Sequence, residues 1–107
     1  MPKEDVKAFP LFQKSSDRGH TAAQCRLGSC YRKGEGVEKS ETKAIDWYQK
    51  AAYRGNAFAQ RWLGVMYENG QGVPQNKFKA MEWYCKSVHQ GNAEAVKDLE
   101  RLERSDH

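Results

Sequence analysis

No run of apolar residues in this 107-residue chain approaches the roughly 20 that a membrane-spanning helix needs. The start, Met1-Pro2-Lys3-Glu4-Asp5, has no signal-peptide core either. The sequence therefore predicts a soluble, unprocessed chain with no membrane partner. Cysteine is scarce and odd in number, and Cys25 and Cys30 would stand about 140° apart around one helix, badly placed to pair. Reduced thiols, Cys85 included, in a cytoplasmic setting are the expectation. Histidine is confined to His20, His89 and His107, without metal-ligand spacing to the cysteines, so neither a metal site nor a cofactor is expected. A phosphate loop and a dinucleotide fingerprint are missing as well, because Gly34-Glu35-Gly36 follows a predicted helix and not a strand. No small-molecule substrate follows from such a chain. A long basic run is also lacking: the net charge of +4 arises from 18 basic and 14 acidic residues that are interleaved. That surplus reads as solvated surface, not as a nucleic-acid site.

What the chain does have is a repeat. Residues 19–54 align without a gap on residues 55–90, and fourteen of the aligned positions are identical. The matches include Leu27-Gly28 with Leu63-Gly64, Tyr31 with Tyr67, Gly34 and Gly36-Val37 with Gly70 and Gly72-Val73, and Trp47-Tyr48 with Trp83-Tyr84. The frame extends upstream through Lys7, Ala8, Phe12 and Lys14, and downstream through Gly91, Ala95 and Leu99. The 36-residue period predicts a single domain over 1–107, made of a half repeat at 5–18, full repeats at 19–54 and 55–90, and a capping helix at 91–104.

Each full unit predicts two helices. Ala23, Leu27, Cys30 and Tyr31, like Ala59, Leu63, Met66 and Tyr67, recur at three- and four-residue steps and form one apolar stripe. Ala44, Trp47, Tyr48 and Ala51, like Ala80, Trp83, Tyr84 and Ser87, repeat the pattern, with the aromatics as wedges between units. Asn56 and Asn92 are predicted N-caps of first helices, and Ser40 and Asn76 of second helices, with His20 the weak member. Gly34 and Gly70 fall where a first helix should end left-handed. Gly28 and Gly64 fall inside a helix, where glycine costs about 1 kcal/mol against alanine, so close approach of the paired helix is expected there. Pro10, opposite Asp46 and Glu82, predicts a kink or a helix start near Phe9. Glu100, Glu103 and Asp106 give the last helix the polar outer face of a cap.

The string Ala-Gln-x-x-Leu-Gly-x-x-Tyr-x-x-Gly-x-Gly-Val followed by Lys-Ala-x-x-Trp-Tyr-x-Lys, at 23–50 and again at 59–86, resembles the Sel1-like repeat, a relative of the tetratricopeptide repeat. The resemblance implies an all-α, right-handed superhelical solenoid of antiparallel helix pairs whose first helices line a concave, partner-binding surface. It also implies an adaptor or scaffold that binds a protein or peptide partner and is not an enzyme. The isolated cysteines do not reproduce the disulfide framework of cysteine-rich secreted members.

On that geometry the concave face is predicted to carry Ala22, Cys25, Ser29 and Arg32 in one unit and Phe58, Arg61, Val65 and Glu68 in the next. Glu94, Lys97, Arg101 and Arg104 complete it, so the groove is expected to grow more basic toward its C-terminal end and to suit an amphipathic or acidic peptide. Trp62 sits beside this face and is either a hot-spot candidate or part of the packing between repeats. The heads of Arg61 and Arg101 are expected in solvent, dispensable for folding and available to an acidic ligand. Two other functions have weaker support. Ser40-Glu41-Thr42-Lys43 matches the Ser-x-x-Lys of penicillin-interacting enzymes, an activity attributed to some cysteine-rich relatives, but its Ser-Asp-Asn and Lys-Thr-Gly companions are absent and capping explains Ser40. Nucleic-acid binding rests only on the pI near 9.0 and on Lys97, Arg101 and Arg104.

Overall fold

The alternation of capped, amphipathic segments with glycine turns builds a stack of helices. The computed structural model describes residues 20–105, and among them are five α-helices and no strand. They are α1 (Thr21–Lys33), α2 (Glu41–Tyr53), α3 (Ala57–Asn69), α4 (Lys77–His89) and α5 (Ala93–Ser105). The half repeat at 5–18, the Pro10 kink, Asp106 and His107 lie outside the described residues.

The caps explain where each helix begins. Ser40 Oγ accepts from the Lys43 amide at 3.2 Å, Asn56 Oδ1 from Ala59 at 2.8 Å, Asn76 Oδ1 from Lys79 at 3.1 Å and Asn92 Oδ1 from Ala95 at 3.1 Å. His20 occupies the N-cap of α1 and makes no side-chain cap bond, so the N-terminus of α1 lacks the side-chain acceptor the others have. α1 and α3 both end on a glycine in the left-handed region, Gly34 at φ 74° and Gly70 at φ 68°. The loop that follows is closed identically in both units, because the Ser40 amide donates to the Tyr31 carbonyl at 2.9 Å and Asn76 to Tyr67 at 2.8 Å. The cap residue of each second helix is thereby tied to the end of the first, and the two run back along each other.

The packing follows the apolar stripes. Within a unit, α1 lies on α2 and α3 on α4; between units, α2 lies on α3 and α4 on α5. Tyr48, Leu27, Leu63, Met66, Tyr84 and Leu102 are wholly buried. Gly28 and Gly64 are the positions of close approach: a Cβ there would stand 2.7 Å from the Tyr48 ring and 2.5 Å from the Tyr84 ring. The aromatic wedges are unequal, however. Both tyrosines are fully enclosed and Trp83 is buried against Tyr53, ring centroids 5.5 Å apart and edge-on, whereas Trp47 is only half-buried, with the Lys50 ammonium 4.2 Å over its ring. The period places Trp47 and Trp83 alike, but the residue a tryptophan meets belongs to the preceding unit, and that partner is not fixed by the tryptophan's own repeat. In α5, Ala95 and Leu102 are buried and Glu100 and Glu103 face solvent.

Candidate protein-binding face

The first helices α1, α3 and α5 present equivalent positions one period apart: 25, 61 and 97; 26, 62 and 98; 29, 65 and 101; 32, 68 and 104. The stack brings each position against its neighbours in the next unit, forming two seams of unlike chemistry.

The α3–α5 seam is ionic. Arg61 Nε donates to Asp98 Oδ2 at 2.5 Å, and its Nη1 lies 3.0 Å from Glu94. Arg101 forks onto Glu68, at 2.5 Å to Oε2 and 2.9 Å to Oε1, and lies 3.6 Å from Asp98. Tyr84 Oη donates to Glu68 Oε1 at 2.7 Å, so one carboxylate collects donors from two helices. Arg61 and Arg101 were expected to hold their charges in solvent, available to a ligand. Instead both are committed to carboxylates; the Arg61 side chain is only 19% exposed. The C-terminal end of the face is correspondingly less basic than the residue types suggest, since these two arginines are set against the three carboxylates of Glu68, Glu94 and Asp98. Sequence reasoning missed Asp98, the residue that joins both arginines. No motif singles it out, because the equivalent positions hold Arg26 and Trp62.

Arg101 holds the Glu68 carboxyl below its ordinary value by hydrogen bonding, with Tyr84 assisting and partial burial opposing. A folded-state value below the unfolded one means that this group stabilises the fold above the ordinary 4.5 and that the contribution is lost as pH falls through the folded value. The midpoint of urea unfolding should therefore drop on acidification below that point, more in the wild type than in Glu68→Gln. Parallel curves for the two proteins would remove Glu68 as a source of acid sensitivity.

The α1–α3 seam is aromatic. Tyr48 Oη, buried beneath α1, shares a 2.9 Å hydrogen bond with Ser29 Oγ and accepts from Arg32 Nε at 3.0 Å. The Arg32 guanidinium lies flat on Trp62, 3.6 Å from the ring centroid. Trp62 is stacked with Tyr48 at 6.5 Å and 9° between planes and tilted against Phe58 at 6.4 Å. It is thus half-covered, a platform inside the seam, the packing between repeats that was one of its two expected roles. Its indole N–H is buried with no acceptor in contact.

Above this seam lies an open hollow of about 440 Å³, lined on α1 by Ala22, Cys25, Ser29 and Arg32 and on the α3 side by Asn56 and Phe58. Five of the predicted α1 and α3 residues, Ala22, Cys25, Ser29, Arg32 and Phe58, meet here; Phe58 is half-exposed. Cys25 is buried at the floor, and burial pushes its thiol up to about 11, which leaves it protonated and a poor nucleophile at neutral pH. Arg26, Lys33 and Glu35 also line it, with Glu35 3.9 Å from Lys33. Val65 is half-buried in the core margin, and Lys97 is exposed on α5, away from the hollow.

The remaining chemistry is sparse. Ser40 Oγ is engaged as a cap and the Lys43 ammonium sits 5.5 Å from the Tyr31 ring, an arrangement of helix-start chemistry and not of an activated nucleophile. The three cysteines are free thiols, two buried and Cys85 exposed. Among the described residues no His, Cys, Asp and Glu group is placed to hold a metal, and no helix is long and apolar enough to cross a membrane.

A stack of caps, glycine turns and aromatic wedges repeating every 36 residues defines an all-α helical-repeat solenoid with a hollowed first-helix face. The Sel1 repeat model matches residues 1–20, 21–56 and 57–92, and the chain belongs to the Sel1 repeat family. Its structure is similar to a protective antigen of uropathogenic Escherichia coli with an SLR fold (31% identity, TM-score 0.88), covering 91% of this chain and 21% of the antigen. It is similar to a Sel1 repeat protein of Oxalobacter formigenes (29%, 0.85; 89% of this chain, 39% of that one) and to the cysteine-rich protein B of Helicobacter pylori (26%, 0.82; 92% and 73%). The chain thus spans well under half the length of the first two. No curated protein matches it. Sel1 repeat proteins are generally protein-interaction scaffolds, typically without enzymatic activity.

Proposed function

We propose that this chain is a non-catalytic interaction module that holds a protein or peptide segment on the face formed by its first helices. The main support is the hollow over the α1–α3 seam, where a half-exposed phenylalanine adjoins the Arg32 guanidinium. An exposed ring beside oriented polar groups is the pattern of a binding hot spot. The residues on which the interaction rests are Phe58, Arg32 and Ser29, with Trp62 as their platform; Arg61, Glu68 and Arg101 hold α5 in place beneath the rest of the groove.

Two phenylalanines supply a matched test. Phe58 lies at the hollow, and Phe78, 81% exposed, lies on the second helix α4. A partner captured by the native protein and then purified should bind Phe58→Ser about tenfold or more weakly, the loss of an interface anchor, and bind Phe78→Ser as it binds wild type. The reverse ranking would place the interaction on the second helices and overturn the assignment.

A further inference from the structure

The two seams use the same positions differently. At α3–α5, position 101 reaches back to position 68 and closes an arginine–carboxylate fork. At α1–α3 Arg32 stands at the place of the acid Glu68 and Val65 at the place of the cation Arg101, so the charge is reversed and the position facing it carries an isopropyl group in place of a partner. Arg32 is nonetheless oriented by two contacts. Its Nε is fixed by the Tyr48 hydroxyl and its plane by Trp62, which leaves the Nη edge, four N–H donors, without a carboxylate among the described residues. That edge lines the hollow beside Phe58. A guanidinium whose orientation is set in advance loses little freedom when a carboxylate docks on it edge-on.

We infer that Arg32 is the anchor for an aspartate or glutamate side chain of the bound segment, which takes the place left open by Val65 while an adjacent apolar side chain covers Phe58. The inference rests on the proposed first-helix binding face and names what that face selects: an acidic residue next to a large apolar one, within a chain that passes through the hollow. The hollow is open to solvent along the groove, which admits a continuing chain, so the carboxylate is assigned to a side chain and not to a chain end.

The full chain, labelled with ¹⁵N, can be titrated with acetyl-Phe-Glu-amide, acetyl-Phe-Gln-amide and acetyl-Phe-Gly bearing a free terminal carboxylate, following the Arg32 Nε–H and Trp62 indole N–H signals. The glutamyl probe should shift both signals saturably and bind about tenfold more tightly than the glutaminyl probe, the ratio for one charge-assisted pair. Two variants should each erase that ratio: Arg32→Gln by removing the fork, and Val65→Glu by supplying the missing acid from within. Thermal melts should show both folded, and Val65→Glu separates a blocked Arg32 from a damaged one. Equal affinity for the glutamyl and glutaminyl probes, an undiminished ratio in Val65→Glu, or tighter binding of the free terminus or of inorganic phosphate would overturn the inference. Loss of partner capture in Phe58→Ser with no effect of Arg32→Gln would sink this anchor alone; carboxylate binding at Arg32 with capture indifferent to Phe58 would sink the proposed function.

Discussion

Tyr84→Ala is expected to cost about 3–5 kcal/mol, the range for truncating a buried aromatic, against about 0.5–1.5 kcal/mol for Tyr84→Phe. The Tyr84 side chain is fully buried between α3 and α4, its ring against Gly64 and its hydroxyl on Glu68. Alanine leaves a ring-sized void in a close-packed seam and frees the carboxylate from one of its donors. Phenylalanine keeps the ring, and Glu68 keeps both bonds from Arg101. Since domains of this size have only about 5–15 kcal/mol in total, the alanine variant should unfold at far lower urea. Identical midpoints for the two variants would mean that the ring contributes nothing and that the wedge lies elsewhere.

Gly64→Ala should destabilise by about 1–3 kcal/mol, the cost of overpacking, although alanine in an open helix interior is favoured over glycine by about 1 kcal/mol. The new methyl would stand 2.5 Å from Cε1 and 2.6 Å from Cδ1 of Tyr84, well inside contact distance. The ring has little room to retreat, because its hydroxyl is held by Glu68 at 2.7 Å. Removing the ring removes the clash, so Gly64→Ala introduced into Tyr84→Ala should be neutral or stabilising. The four denaturation curves form a double-mutant cycle whose coupling exceeds experimental error. Stabilisation by Gly64→Ala in the wild-type background, with no coupling, would show that α3 and α4 are not in intimate contact at this point.

Much of the stack was legible because its signals are local. Ser40, Asn56, Asn76 and Asn92 cap helices because a short side-chain acceptor reaches the amide three residues on, whatever the rest of the chain does. Gly34 and Gly70 end helices because the left-handed turn disfavours any Cβ. Gly28 and Gly64 announced a close approach, and the tyrosine rings supply it. The hollow was legible in part: Cys25, Ser29 and Arg32 fall on one stripe of α1, Phe58 falls on the equivalent stripe of α3, and they do meet. The partners of Arg61, Arg101 and Trp62 were not legible, because a repeat aligns positions without saying what each one touches.

The sequence by itself thus determined the helices, their ends, the 36-residue period and the face each apolar stripe buries, all consequences of backbone geometry and side-chain periodicity over a few turns. Only the tertiary structure decided which charges on the first-helix face are spent and which remain. Glu68 and Arg101 lie 33 residues apart and Arg61 and Asp98 lie 37, so their pairing exists only once successive units are stacked. The same stacking sets Arg32 over Trp62, where its charge meets no carboxylate among the described residues. Coulomb attraction and hydrogen bonding act over a few ångströms, and for residues a whole repeat apart those ångströms are fixed by the packing of one unit on the next.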